Sequence, residues 1–205
     1  NDDFIANISY VDIFAVESAD GTSQNVTITI TGTNDGAAIT GDSSATLTEA
    51  DAALSTGGTL TVTDVDNADK FISQTDAQGT HGIFNISEDG LWTYSTGAHN
   101  EFEDGKDYID SFTVVTTDGT QETVTVTITG TNDGATFSGD SAATLTETDA
   151  VLSAGGTLSN DDVDSAQTFV AQANVAGTYG TFTIDADGDW GYVADDSFDD
   201  WNTDE

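Results

Sequence analysis

The sequence contains no cysteine, no proline and no methionine. Without cysteine there is no disulfide frame, no thiol chemistry and no thiolate to hold a metal. Positive charge is almost missing: Lys70 and Lys106 stand against 38 acidic residues, for a formal net charge of −36. Such a chain has nothing with which to neutralise phosphates, which excludes nucleic acid as a partner, and anionic lipid surfaces repel it. No apolar run reaches membrane-spanning length, so direct membrane insertion is not expected, and no signal-peptide pattern opens the sequence. Histidine is scarce too. His81 and His99 have no nucleophile setting and no Ser-His-Asp arrangement around them. No insertion that would shape a glycosidase cleft is visible, and no enzyme is expected.

What the sequence does have is a repeat. Thr29–Ala37 returns residue for residue at Thr127–Ala135, 98 positions later. At the same offset Glu49 falls on Glu147, Asp64-Val65-Asp66 on Asp162-Val163-Asp164, Trp92 on Trp190, Tyr10 on Tyr108 and Phe14 on Phe112. A fixed period decides the architecture before any single residue does. This one is too long for a solenoid unit and has the size of an independent domain. Boundaries fall at Asn34-Asp35-Gly36 and Asn132-Asp133-Gly134. Residues 1–35 then carry the last two strands of one module, 36–133 a complete module and 134–205 the first part of a third. The ragged ends are expected to reflect a longer covalent array, with chains that join head to tail by donating strands as the alternative.

Almost every ordered stretch alternates with period two. Val26-Thr27-Ile28-Thr29-Ile30-Thr31 and Val124-Thr125-Val126-Thr127-Ile128-Thr129 put β-branched apolar residues on one face and threonine on the other. With 36% hydrophobic residues so placed, the acidic composition does not mean disorder. In the complete module the pattern predicts strands near Ala45–Thr48, Thr59–Thr63, Phe71–Thr75, Gly82–Ser87, Leu91–Ser95, Tyr108–Thr117 and Thr123–Thr129. Glu88-Asp89-Gly90 and Asp118-Gly119 are predicted hairpin turns, because Asp-Gly suits positive φ. His99–Asp107 is a polar crossover with room for one helical turn. Phe84, Ile86, Trp92, Tyr94, Phe112 and Val114 are the expected core. Trp92 and Trp190 are read as core anchors rather than sugar-stacking platforms. The fold class is all-β, a tandem of Ig-like β-sandwiches with a 98-residue period.

Antiparallel alternation sorts the acids by pole. One end of the module gathers Asn34, Asp35, Asp64, Asp66, Glu88, Asp89 and Asp118. The other gathers Glu49, the crossover acids Glu101, Glu103 and Asp104, and the departing Asn132 and Asp133. If modules stack end to end, this second group is expected to approach Asp162 and Asp164 of the next module. So many carboxylates repel one another unless a cation sits among them. Ca²⁺ takes six to eight oxygen ligands in flexible geometry, Mg²⁺ demands stricter geometry and Zn²⁺ prefers histidine and cysteine. Calcium is therefore the expected cofactor. Asp185-Ala186-Asp187-Gly188-Asp189 looks like the opening of an EF-hand loop, but no helix follows, and it is read as a hairpin turn.

Thr-Gly-Thr-Asn-Asp at Thr31–Asp35 and Thr129–Asp133, Leu-Thr-Glu at Leu47–Glu49 and Leu145–Glu147, and Gly-Thr-Leu followed by Asp-Val-Asp together resemble VCBS repeats. These are cadherin-like modules found in tandem in large secreted bacterial adhesins of the RTX type. The resemblance implies export to the extracellular space or cell surface by type I secretion, and a calcium-dependent stalk serving cell adhesion or the biofilm matrix. The implied partners are neighbouring modules of the same type, head to tail, with surface glycans or other cells beyond them. Family members continue Asn-Asp-Ala-Pro, whereas Gly36-Ala37 and Gly134-Ala135 stand here. Without proline, linker rigidity would depend more on the ion. A glycan-binding module of a cell-surface protein is the alternative reading.

Overall fold

The computed structural model describes residues 4–196; residues 1–3 and 197–205, the outermost parts of the first and third segments, lie outside the described residues. Every regular element among the described residues is a β-strand. The chain divides into two compact units between Thr131 and Asn132.

The first unit opens with an antiparallel hairpin. β1 (Ser9–Glu17) and β2 (Ser23–Thr31) pair without a break from Ser9↔Thr31 to Glu17↔Ser23. A sandwich follows, built from β3 (Ala38–Gly41), β4 (Ser44–Thr48), β5 (Leu54–Thr63), β6 (Gln74–Gln78), β7 (Gly82–Ile86), β8 (Leu91–Thr96), β9 (Asp107–Val115) and β10 (Gln121–Thr129). One sheet has the order β3-β5-β8-β7-β6, the other β4-β10-β9. The alternation read from the sequence is what seals them together. Val124, Val126 and Ile128 of β10 are at most 1% exposed, and they meet Phe84, Ile86, Trp92 and Tyr94 of the facing sheet. Phe84 stacks on Phe112 across the two sheets, with ring centroids 4.6 Å apart. All six expected core residues are buried; Leu60, Val62, Phe71 and Phe102 join them.

Three expectations need correction. The strand expected near Ala45–Thr48 is β4, but a strand not expected from the sequence, β3, precedes it. β3 pairs antiparallel with β5, the chain crosses over at Asp42-Ser43, and β4 then runs parallel to β10 in the other sheet. Gly41 makes the crossover possible: its φ is 109°, and a Cβ there would clash with Thr59 O at 2.3 Å. The strand predicted at Phe71–Thr75 begins later, at Gln74, and Phe71 makes only an isolated bridge to Thr116. A bulge between Gln74 and Ala77, with Asp76 at φ 52°, breaks the period-two register there. The His99–Asp107 crossover holds two single turns, closed by Phe102 N–H to His99 O and Lys106 N–H to Glu103 O, and no helix.

The second unit repeats one sheet only. β11 (Thr136–Gly139), β12 (Ser153–Asp161), β13 (Gln172–Ala176), β14 (Gly180–Ile184) and β15 (Asp189–Ala194) pair in the order β11-β12-β15-β14-β13, matching β3-β5-β8-β7-β6. It even repeats the bulge, between Gln172 and Val175, with Asn174 at φ 53°. Residues 142–146, which correspond to β4, form no strand. The EF-hand look-alike closes the β14–β15 hairpin: Asp185 N–H reaches Asp189 O, and Gly188 turns at φ 89°.

Candidate metal centre

Asp64, Asp66 and Asn67 follow β5, where the strand pattern ends and short polar side chains can bond their own backbone. Asp64 does so. Its Oδ1 accepts from Asp66 N–H at 3.0 Å and from Asn67 N–H at 2.9 Å, which folds the loop back over the sandwich end. Asp66 is only 6% exposed, and its Oδ2 accepts from Asp35 N–H at 3.3 Å. Asn67 donates to Asn34 Oδ1 at 2.7 Å, and Asn34 donates to Asp35 O at 3.0 Å. So Asn34, Asp35, Asp64 and Asp66, four of the predicted ligands, converge at one pole. Burial, aided by a hydrogen bond to Asp64 and by the charges of Asp64 and Asp35, pushes the Asp66 carboxyl above its usual range.

The second unit repeats this loop. Asp162 Oδ1 accepts from Asp164 N–H at 3.3 Å and Ser165 N–H at 2.8 Å, and Asp164 Oδ2 accepts from Asp133 N–H at 3.0 Å. Asn132 donates to Asp133 O at 2.9 Å. Here the shift has the opposite sign: the Asp133 amide holds the Asp164 carboxyl below its usual range. The amide stands 0.3 Å closer than its counterpart at Asp66.

At the other pole of the sandwich Glu49 directly follows β4. It is 4% exposed; its Oε2 accepts from Thr131 Oγ1 at 2.6 Å and Thr131 N–H at 3.2 Å. The crossover acids behave differently. Glu101 accepts from His99 Nδ1 at 2.8 Å, a contact that lowers its pKa. Glu103 pairs with Lys106 Nζ at 2.6 Å, and Asp104 is exposed. The other lysine, Lys70, bonds Asp89. Both lysines are thus engaged on exposed acids and neither serves the buried ones.

That leaves orphaned oxygens. Glu49 Oε1, Asp64 Oδ2 and Asp164 Oδ1 are buried and have no hydrogen-bond partner. A buried carboxylate oxygen without a donor is costly. All three belong to residues whose other oxygen is held by a polar group. An all-oxygen donor set of carboxylates and amides, oriented on one side and bare on the other, fits a hard divalent cation such as calcium.

Sequence reading overlooked Asp110. It lies in β9, 3% exposed, and accepts from Thr80 N–H at 2.7 Å, His81 N–H at 3.0 Å, Gly82 N–H at 3.0 Å and Tyr94 OH at 2.8 Å. Burial first, then Asp110 itself, pushes the Tyr94 phenol well above its usual pKa, so it remains a donor. The signal was available: Tyr108, Asp110 and Phe112 share the inward face of an alternating strand, an acid in an apolar row. The aromatic stack at the crossover was also missed. Phe102 lies flat on Tyr108, centroids 3.7 Å apart, and on His99 at 4.5 Å. Trp92 is fully buried and donates to Asp42 O at 2.7 Å, so it offers no face to a sugar.

Residues 34–130, which span this sandwich and its Asn34-Asp35 linker, match the bacterial cadherin-like domain. In sequence and fold this sandwich is similar to a cadherin-like module. Solved structures similar to the chain include protocadherin gamma B2 extracellular cadherin domains 1–5, at 13% identity and a TM-score of 0.50 over 96% of this chain and 46% of that one. The protocadherin gamma B4 extracellular domain is similar at 15% identity and a TM-score of 0.46, over 90% of this chain and 36% of that one. The chain spans less than half the length of either, and at 13% identity the first likeness concerns the fold alone. No curated protein matches the chain. No helix among the described residues is long and apolar enough to cross a membrane.

Proposed function

We propose that this chain is a non-enzymatic structural segment of a secreted bacterial adhesin or extracellular fibre. Its cadherin-like β-sandwiches stand in tandem, are stiffened by calcium at their junctions, and serve cell adhesion or the biofilm matrix. In this reading residues 1–35 close one module, 36–133 form the next and 134–205 begin a third. Asn34, Asp35, Asp64 and Asp66 are ligands at the first junction. Glu49, Glu101, Glu103 and Asp104 on one side and Asn132, Asp133, Asp162 and Asp164 on the other are ligands at the second. Export by type I secretion and membership of an RTX-type adhesin belong to the same reading.

The observation that carries it is the set of buried carboxylate oxygens without donors, at Glu49, Asp64 and Asp164. The chain's positive charge is too small to serve them, and Asp64 and Asp164 lie in loops that recur at the repeat offset. Bound calcium would supply the missing positive charge and fix the linker angle. The chain's own residues orient the oxygens: Thr131 holds Glu49, the Asp35 and Asp133 amides hold Asp66 and Asp164, and the loop amides hold Asp64 and Asp162.

Thermal melting tests this. A ligand bound only by the folded state at a hundredfold excess over Kd stabilises by about 2.7 kcal/mol, which for a module of this size raises Tm by on the order of 10–20 °C. Calcium is expected to do so and magnesium to do less, with EDTA reversing the gain. A melt indifferent to calcium and EDTA at low ionic strength would sink the proposal.

A further inference from the structure

The two Asp-Val-Asp loops share their backbone bonds and differ at the residue that follows. Asn67 stands after the first loop and Ser165 after the second, at the repeat offset. Their backbone amides act alike: Asn67 N–H donates to Asp64 Oδ1 at 2.9 Å, and Ser165 N–H to Asp162 Oδ1 at 2.8 Å. Their side chains do not. Asn67 Nδ2 donates to Asn34 Oδ1 at 2.7 Å and to Asp66 Oδ1 at 2.9 Å. An amide nitrogen carries two donors, and here one is spent on the linker and the other on a buried carboxylate. Asn34 accepts in the matching sense, because its own Nδ2 donates to Asp35 O at 3.0 Å.

A serine hydroxyl has one donor on a shorter arm. The effect shows at the neighbouring aspartate. Asp66 and Asp164 are equally buried, 6% and 8% exposed. Each gives its Oδ2 to the linker amide, of Asp35 and of Asp133. Asp66 Oδ1 is then served by Asn67, whereas Asp164 Oδ1 is buried without a hydrogen-bond partner. Asn132 meanwhile donates to Asp133 O at 2.9 Å, as Asn34 does to Asp35 O. The second loop is the first with its bridging amide removed.

We propose that the residue at 67 and 165 sets how far each loop depends on a cation. Asn67 is a built-in stand-in that ties Asn34 to Asp66 without an ion, and Ser165 leaves the equivalent oxygens for an ion to fill. This rests on the calcium reading above and gives its sites an order. Calcium binds first at Asp162–Ser165. At Asp64–Asn67 it has to displace two hydrogen bonds, one of them to a carboxylate, before the same oxygens are free. The first loop keeps a bare oxygen of its own, Asp64 Oδ2, so it remains a site and is the weaker one. Loss of one charge-assisted hydrogen bond to the competitor corresponds to about a tenfold difference in affinity.

Amide NMR of the full chain reads the loops separately, through the N–H groups of Asp35 and Asp133. In EDTA the parent chain is expected to hold residues 34–35 as rigid as the strands, with residues 132–133 freer on the nanosecond scale. Calcium should shift Asp133 at about tenfold lower concentration than Asp35. Asn67→Ser should free residues 34–35 in EDTA and bring the two calcium midpoints together. Ser165→Asn should order residues 132–133 in EDTA and raise their midpoint about tenfold. Asn67→Asp keeps the shape and removes the donors, so in EDTA it should behave as Asn67→Ser does. The Trp92 indole N–H, bonded to Asp42 O, checks that the sandwich stays folded. Residues 34–35 equally ordered in EDTA with and without Asn67 would overturn the proposal. So would calcium midpoints that neither exchange moves. Should neither amide shift with calcium, the calcium reading and the order of sites fall together, whereas the EDTA comparison decides the Asn67 tie by itself.

Discussion

Asp110 and Asp118 are acids of the same chain under opposite constraints. Asp110 is sealed in the core, and its oxygens serve three amides and the Tyr94 hydroxyl. Asp110→Ala strands all four donors and is expected to cost at least about 3 kcal/mol in chemical denaturation, against about 1 kcal/mol for Tyr94→Phe. Equal costs would mean that the amides find other partners. Asp118 sits in the β9–β10 turn. Burial opposes its charge, but hydrogen bonds from Thr116, Ala37 N–H and Thr120 prevail and hold its carboxyl far below the ordinary value of 3.8. A depressed carboxyl contributes stability that is present above its unfolded pKa and lost as pH falls through the folded one. Asp118→Asn should therefore cost about 1–3 kcal/mol at neutral pH. That difference from the parent chain should shrink as pH drops below about 4. Asp66, shifted upward, has the reverse sign: its contribution is present in acid and is lost as pH rises through its raised value.

Hairpins and strand ends show how glycine acts at the scale of an element. Gly90 turns β7 into β8 at φ 82°, and a Cβ there would meet Leu60 O at 2.1 Å. Gly119 turns β9 into β10 at φ 96° with open space around it. Gly90→Ala should thus cost well over about 1 kcal/mol and Gly119→Ala only the backbone strain of roughly 1–2 kcal/mol; urea titration that ranks them the other way would contradict this. These turns were legible because Asp-Gly announces positive φ, and the long strands because valine, isoleucine and threonine alternate without interruption. β3 was not. It is four residues long, and its separation from β4 depends on a backbone crossover at Gly41-Asp42 that no side-chain period encodes. The start of β6 was misplaced because its bulge resets the alternation that served as the guide. In the candidate site, acids were legible as a recurring set, and their grouping at the two poles followed from strand direction. That Glu49, Asp64 and Asp164 would each bury one bare oxygen was not legible, since burial depends on which loop folds over which strand end. Nor was the engagement of Glu101 by His99 and of Glu103 by Lys106, which are contacts inside one loop.

At the scale of the whole molecule, two kinds of substitution should separate the sandwich from its junctions. Trp92→Ala removes a wholly buried ring and the hydrogen bond to Asp42, at about 3–5 kcal/mol, and should lower the melting of the complete sandwich with or without calcium. Asp162→Ala with Asp164→Ala should leave that melting intact in EDTA and remove part of the gain from calcium. If the double variant melts early in EDTA as well, these acids belong to the fold and not to an ion.

The parallel pairing of β4 with β10 has a mechanical consequence. One strand lies near the entrance of the sandwich, the other leads out of it, and five consecutive residue pairs from Ser44↔Thr125 to Thr48↔Thr129 join them. A pull on the two ends of the module draws these strands along each other, so that the whole patch of hydrogen bonds is loaded at once in shear. It cannot be peeled open one bond at a time, as the antiparallel β1–β2 hairpin would be if its two ends were drawn apart. If the proposed role in a fibre holds, the strand pair at β4–β10 is the element expected to set the module's rupture force.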